Sequence, residues 1–187
     1  MDLVDKAIQF IAEKHEGQYR KGLNVPHSTH LFGVARILKI AGYAEPVVIA
    51  GLLHDVLEDT TATEQELQEK FGDSVLALVK ASTELEKSLS WNERKEYVIQ
   101  QIKHKTDEQL AIMLAEKLHN VKSITVEVAQ LGNETWNNFN APKEKQEWYY
   151  RAIISEVKKY HPGALLFPQL ELAVDKLFIR VENCKKR

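Results

Sequence analysis

Apolar residues recur every three or four positions along almost the whole chain, which is the spacing of helices that bury one face. The clearest stripe runs from Leu170 to Val181. Two segments, 63–66 and 106–109, match the capping box that opens a helix, a threonine followed three residues later by glutamate or glutamine. No stretch of five or more residues alternates as a half-buried strand would. We therefore predict an all-α fold.

Length and composition predict one helical domain over residues 1–187. The chain is 44% hydrophobic and 28% charged, which is enough apolar material for a core of its own. The residues that carry the motifs described below lie within about 1–125, and further helices are predicted over 142–187. No repeat or change in composition marks a linker between two domains.

Charge and cysteine content exclude several classes of protein. The net charge is −2, from 25 basic and 27 acidic residues, so nothing in the overall charge favours nucleic acid or an anionic membrane as a partner. No apolar run approaches the roughly 20 residues of a membrane span, and the first residues do not form a signal peptide. Cys184 is the only cysteine, which excludes an internal disulfide and agrees with a reducing compartment. We predict a cytoplasmic protein.

The most informative polar segment is 54–59, which contains His54, Asp55, Glu58 and Asp59 and follows an apolar run. We expect these four side chains at the far end of a helix that begins near Pro46. An imidazole beside a carboxylate can bind a divalent metal, and a second carboxylate pair can act on water bound to that metal. Because two adjacent carboxylates resist joint ionisation, one of them can serve as a general base.

Two other segments can complete a metal site. His30 begins the second predicted helix, and Glu116 lies in the middle of a later one. Two imidazoles and two carboxylates suit Mn²⁺, Fe²⁺, Co²⁺ or Zn²⁺, whereas Ca²⁺ prefers oxygen ligands alone. Arg20 and Lys21, in the loop before His30, can neutralise the charge of a phosphoryl group.

These motifs resemble the HD superfamily of metal-dependent phosphohydrolases, and in particular the hydrolase domain of the RelA/SpoT family and its single-domain alarmone hydrolases. Residues 54–60 match the family motif HDxxEDT in full. The loop from Arg20 to His30 resembles the family's basic loop and first histidine, and residues 114–120 resemble its LADRLHN helix. The resemblance covers roughly residues 1–125.

The resemblance implies an all-α helical bundle, bound Mn²⁺ or another divalent transition metal, and removal of the 3′-pyrophosphate from guanosine penta- or tetraphosphate, a small-molecule substrate. It also implies roles for ten residues. The metal ligands would be His30, His54, Asp55 and Glu116; the residues that act on water or hold the catalytic pair would be Glu58, Asp59 and Arg20; and the residues that contact the nucleotide would be Lys21, Asn120 and Ser123.

The chain departs from the family pattern at three positions. Glu116 replaces the family's aspartate, Lys117 replaces its arginine, and His27 stands where the family usually has tyrosine. These departures keep two alternatives open. One is an HD phosphohydrolase for another nucleotide or phosphoester, and the other is a nucleotide-binding regulatory protein without catalytic turnover.

Overall fold

The computed structural model describes residues 2–22, 24–83 and 88–183, and these form an all-α bundle. The predicted fold class is therefore confirmed, while Cys184 lies outside the described residues. The α-helices are, in chain order, α1 Leu3–Lys14, α2 Ser28–Ile40, α3 Glu45–Leu53, α4 Val56–Asp59, α5 Glu64–Ser82, α6 Trp91–Gln101, α7 Asp107–Leu131, α8 Lys143–Tyr160 and α9 Phe167–Asn183. Short 3₁₀ helices cover Ile102–His104 and Gly132–Asn138. No helix within the described ranges is long and apolar enough to cross a bilayer.

Helix α3 lies at the centre of the N-terminal part of the bundle. Every residue from Val47 to Leu53 is buried, which explains why this segment is apolar on all sides. It packs against α1, α2, α5 and α7. Gly51 permits the close contact with α2, because a methyl group at this position would overlap the buried side chain of Leu38.

Helix α7 connects the two ends of the bundle. It is the longest described helix, and it packs against α2 and α3 on one side and against α9 on the other. Its buried residues include Leu110, Leu114, Leu118 and Val121. The metal-ligand candidates on α2 and the predicted substrate contacts on α7 are therefore held by one continuous core.

The helix that was predicted to carry residues 54–59 ends earlier than expected. Helix α3 ends at Leu53, His54 and Asp55 form a turn, and the separate helix α4 follows. The backbone amides of Glu58 and Asp59 both donate to the Asp55 carbonyl, at 3.1 and 2.9 Å. The two carboxylates of α4 therefore follow the turn directly, and one ligand atom of Asp59 lies within 4.8 Å of one of Asp55.

Helix boundaries agree with the local signals in the sequence. Both predicted capping boxes form, with Thr63 bonded to the amide of Glu66 and Thr106 bonded to that of Gln109. Gly72 interrupts α5 with φ +84°, a conformation that suits glycine. The helix is therefore kinked at this residue.

We expect Thr106→Ala to lower the free energy of unfolding by about 1 kcal/mol, because it removes the side-chain cap of α7. Thr106→Ser keeps a hydroxyl that can accept the same bond, and it serves as the matched control. Urea denaturation followed by circular dichroism measures both variants. Equal stability of the alanine and serine variants would contradict the role of this cap.

Candidate metal centre and substrate cavity

His30, His54 and Asp55 form a compact cluster between α2 and the turn after α3. One ligand atom of each residue lies within 4.8 Å of the others. His30 is on the first turn of α2, and His54 and Asp55 are the two residues that separate α3 from α4. Both imidazoles are buried, with 3% and 4% of their surface exposed, while Asp55 is partly exposed.

The hydrogen bonds of His54 leave a lone pair facing this cluster. Its Nδ1 lies 2.8 Å from the carbonyl oxygen of Gly51, which can only accept, so Nδ1 carries the proton. Its Nε2 therefore has a lone pair, and it lies 3.2 Å from His30 Nε2 and 3.1 Å from Asp55 Oδ1. Three electron-rich atoms that converge in this way repel one another unless a proton or a cation lies between them.

The pKa values of His30 and Asp55 suit a bound cation. Burial, together with the neighbouring His54, holds the pKa of His30 well below its usual value, so His30 is neutral near pH 7. Burial alone would raise the pKa of Asp55, but the surrounding His54, His27 and His30 hold it well below its usual range. Two imidazoles and one carboxylate are the donor set that a borderline divalent metal prefers.

His119 on α7 contacts the outer nitrogen of His30. The two Nδ1 atoms are 2.9 Å apart, so one ring donates and the other accepts. Burial and the nearby Arg20 lower the pKa of His119 to about 4, which leaves this ring neutral as well. His119 packs directly against Gly33, where a methyl group would overlap the ring. An Nδ1–H of His30 that donates to His119 would leave His30 Nε2 available as a ligand.

Glu116 is near the cluster but does not belong to it. One of its carboxylate oxygens lies 2.7 Å from Lys117 Nζ, and the other accepts from the side-chain amide of Asn120. Asn120 in turn accepts from Arg20 Nη2 at 3.0 Å. Burial lowers the pKa of Lys117, but Glu116 more than offsets this effect, and the net pKa is well above its usual value. Glu116 as a metal ligand therefore stays a prediction, since both oxygens have other partners here.

The remaining predicted site residues lie at different distances from the cluster. Glu58 and Asp59, on α4, line the same cavity as the cluster. Lys21 lines it too and is exposed, with Nζ 3.5 Å from the side-chain oxygen of Asn140. Ser123 is on α7 and does not line the cavity. Its predicted contact with a nucleotide stays a prediction.

The cluster opens into a cavity of about 750 Å³, which is large enough for a nucleotide. Cationic side chains are frequent in its lining, and aromatic rings from α6 and α8 form another part of the wall. The cations are Arg20, Lys21, Lys80, Arg94, Lys95, Lys105 and Lys117, and the rings include Trp91, Tyr149 and Tyr150. Such a surface suits an anionic ligand that also carries a ring.

Sequence reasoning missed most of this cavity wall, because α6 and α8 carry no metal-ligand motif. It also treated His27 only as a departure from a family pattern, whereas His27 Nε2 lies 3.2 Å from Asp55 Oδ2. The one signal available in the sequence was the spacing of His27 and His30, which places two imidazoles about one helical turn apart.

Comparison with known proteins gives an independent view of the chain. Residues 7–144 match the family model of the HD domain. The human guanosine-3′,5′-bis(diphosphate) 3′-pyrophosphohydrolase MESH1 is 39% identical over 151 residues, which cover 79% of this chain and 81% of the human protein. A GTP pyrophosphokinase of Myxococcus xanthus is 35% identical over 132 residues, but that match covers only 17% of the bacterial enzyme and 66% of this chain.

A solved structure gives the same result for the fold. It belongs to a metazoan ortholog of SpoT that hydrolyses ppGpp, and it superposes with a TM-score of 0.76 at 27% sequence identity. The match covers 96% of both chains. The family model, the human relative and this structure together confirm the resemblance inferred from the motifs, and the chain belongs to the HD-domain family.

Proposed function

We propose that this protein is a metal-dependent phosphohydrolase that removes the 3′-pyrophosphate of guanosine tetraphosphate or pentaphosphate. The observation that carries the proposal is the convergence of His30, His54 and Asp55 beside the carboxylates of α4, at one end of a cationic cavity. The 39% identity with human MESH1, whose name states this activity, supports the choice of substrate.

The metal would be held by His30, His54 and Asp55, and we propose Mn²⁺ because it accepts mixed nitrogen and oxygen ligands. When bound, such an ion lowers the pKa of a coordinated water and stabilises charge on the phosphoryl oxygens. The protein fixes this geometry in advance. The Gly51 carbonyl orients His54, and His119 orients His30, so little reorganisation is needed on binding.

The reaction adds water to a phosphate ester. The water oxygen forms a bond to the phosphorus next to the 3′-oxygen of the ribose, the bond between that phosphorus and the 3′-oxygen breaks, and the 3′-oxygen receives a proton. Guanosine tetraphosphate thereby gives GDP and diphosphate. We propose that Glu58 and Asp59, which line the cavity, orient the water and accept its proton, and no redox partner is needed.

The cationic residues of the cavity would bind the substrate's phosphates. Arg20 is the best placed of them. Its Nη2 donates to the side-chain oxygen of Asn120 at 3.0 Å, and the carboxylates of Asp55 and Glu116 are close enough to interact with its charge. Lys21, which also lines the cavity, adds an exposed positive charge, and Asn120 adds an amide beside Arg20. Tyr149 and Tyr150 offer aromatic surface to the rest of the nucleotide.

A second candidate is hydrolysis of a different phosphorylated nucleotide by the same groups. His27 beside Asp55, and Glu116 paired with Lys117, change the surroundings of the metal cluster and so favour a distinct specificity.

The direct test is incubation of Mn²⁺-loaded protein with guanosine tetraphosphate while GDP and diphosphate are followed by ion-exchange chromatography. We expect equal amounts of both products, and no reaction after the protein has been treated with a chelator. Metal-loaded protein that leaves this substrate intact but hydrolyses another nucleotide would replace the first candidate by the second. If metal-loaded protein hydrolyses neither guanosine tetraphosphate nor any other phosphorylated nucleotide tested, the result would support a nucleotide-binding protein without turnover.

Substitutions of Asp55 and of Glu58 should have different effects on metal binding and on catalysis. We expect Asp55→Asn to lose both the metal and turnover, because it removes the only carboxylate of the cluster. Glu58→Gln should keep the metal and lose turnover by about 10²–10⁴-fold, the usual contribution of a general base. Metal content by mass spectrometry and initial rates measure the two effects. Glu13→Gln on α1, an exposed acid outside the cavity, is the control. Full activity of Glu58→Gln would refute its role.

The Glu116→Gln variant tests whether Glu116 binds the metal or serves as the counter-charge of Lys117. If Glu116 remains in the pairing seen here, the variant keeps its metal but is less stable by about 3 kcal/mol, since a buried ammonium loses its counter-charge. Metal content and thermal unfolding are measured on the same sample. Glu116→Asp keeps the charge and is the matched control. Loss of the metal from Glu116→Gln, with stability unchanged, would instead identify Glu116 as the fourth ligand.

A further inference from the structure

A second group of potential ligands lies next to the first and shares one residue with it. One ligand atom from each of His27, Asp55 and Asp59 lies within 4.8 Å of the others. His27 precedes α2, Asp55 lies in the turn after α3, and Asp59 ends α4, so three different parts of the chain converge. The ligand set proposed above for the first cluster does not include His27.

The two oxygens of Asp55 have different nearest neighbours. Oδ1 lies 3.1 Å from His54 Nε2, whereas Oδ2 lies between two rings, 3.2 Å from His27 Nε2 and 3.9 Å from His30 Nε2. A carboxylate in this orientation can bind one cation through each oxygen and so bridge two ions. Two-metal sites in phosphoester hydrolases hold their ions about 3.5–4 Å apart, a separation that one carboxylate can span.

The ring of His27 is held in position from behind. It stacks on the buried ring of His15, with centroids 4.9 Å apart and planes at 26°. Its backbone amide donates to the Gln18 carbonyl at 2.9 Å. The Gln18 side chain contacts His15 Nδ1 at 2.8 Å and donates to the Asp59 carbonyl at 2.8 Å. One glutamine therefore connects the loop that carries His27 to the residue that supplies the third ligand.

Exposure and charge at this position suit a hydrated cation. The side chains of His27 and Asp55 are 18% and 24% exposed, and Asp59 is exposed, so water can complete the coordination shell. One imidazole and two carboxylates give a borderline divalent ion a mixed set of ligands. The first cluster has buried histidines instead, and we expect it to bind its ion more tightly.

We propose that His27, Asp55 and Asp59 hold a second divalent cation, which shares Asp55 with the ion of the first cluster. The proposal extends the proposed function, because it adds a cation to the same site. A second ion would let Asp59 orient water through the metal, and it would leave Glu58 as the carboxylate that accepts the proton.

The test counts metal ions in the intact protein. Protein stripped with a chelator is dialysed against Mn²⁺, and manganese per chain is measured by mass spectrometry, with electron paramagnetic resonance on the same samples. We expect two ions per wild-type chain and a spectrum of two exchange-coupled Mn²⁺ ions. His27→Phe keeps an aromatic ring on His15 but offers no ligand, and it should bind one ion with an uncoupled spectrum. Asp55→Asn should bind none.

Control variants show whether a lower metal content comes from the loss of one ligand or from unfolding of the protein. His104→Phe makes the same substitution at an exposed histidine that belongs to neither group, and it should keep two ions. If circular dichroism shows that His27→Phe is unfolded, Asp59→Asn removes a different ligand of the same group and should also bind one ion.

One ion per wild-type chain would overturn the second site. Two ions in a folded His27→Phe or Asp59→Asn variant would overturn it as well. Neither result would affect the proposed activity. That activity fails only if metal-loaded wild-type protein releases no diphosphate from guanosine tetraphosphate.

Discussion

The approach of His30, His54 and Asp55 to one another is the constraint on which the rest of this structure depends. The two buried imidazole nitrogens are 3.2 Å apart, and a carboxylate oxygen lies 3.1 Å from one of them. A cation bound between these atoms would stabilise the arrangement, whereas without one the atoms repel each other. The surrounding fold makes this possible. The wholly apolar helix α3 anchors the turn that carries His54 and Asp55, and α2 holds His30 against it.

The interruption between α3 and α4 has a functional consequence. A continuous helix would have continued past Leu53 and carried all four polar residues along one axis. In the structure His54 and Asp55 lie in the turn, Glu58 and Asp59 lie on a short helix of their own, and all four line the same cavity. The candidate metal ligands and the carboxylates proposed to act on water are therefore on separate elements that are close together in the sequence.

The sequence predicted the helices well, because capping boxes, glycines and apolar spacing are local signals. Thr63 and Thr106 both cap their helices where the sequence predicted. It also predicted His30, His54 and Asp55 as candidate metal ligands, and the structure brings these three side chains together. It did not reveal that Glu116 pairs with Lys117 and Asn120, because that depends on which way a side chain turns on α7. The contact of His27 with Asp55 was missed for a similar reason, since it joins residues 28 positions apart.

A crystal of the protein grown with Mn²⁺ offers the most direct test of the central claim. X-ray data collected at the manganese absorption edge would locate the ion by its anomalous scattering. We expect a strong peak within bonding distance of His30 Nε2, His54 Nε2 and the Asp55 carboxylate. A map without a peak there, or with manganese only elsewhere on the protein, would show that these three residues do not hold the metal.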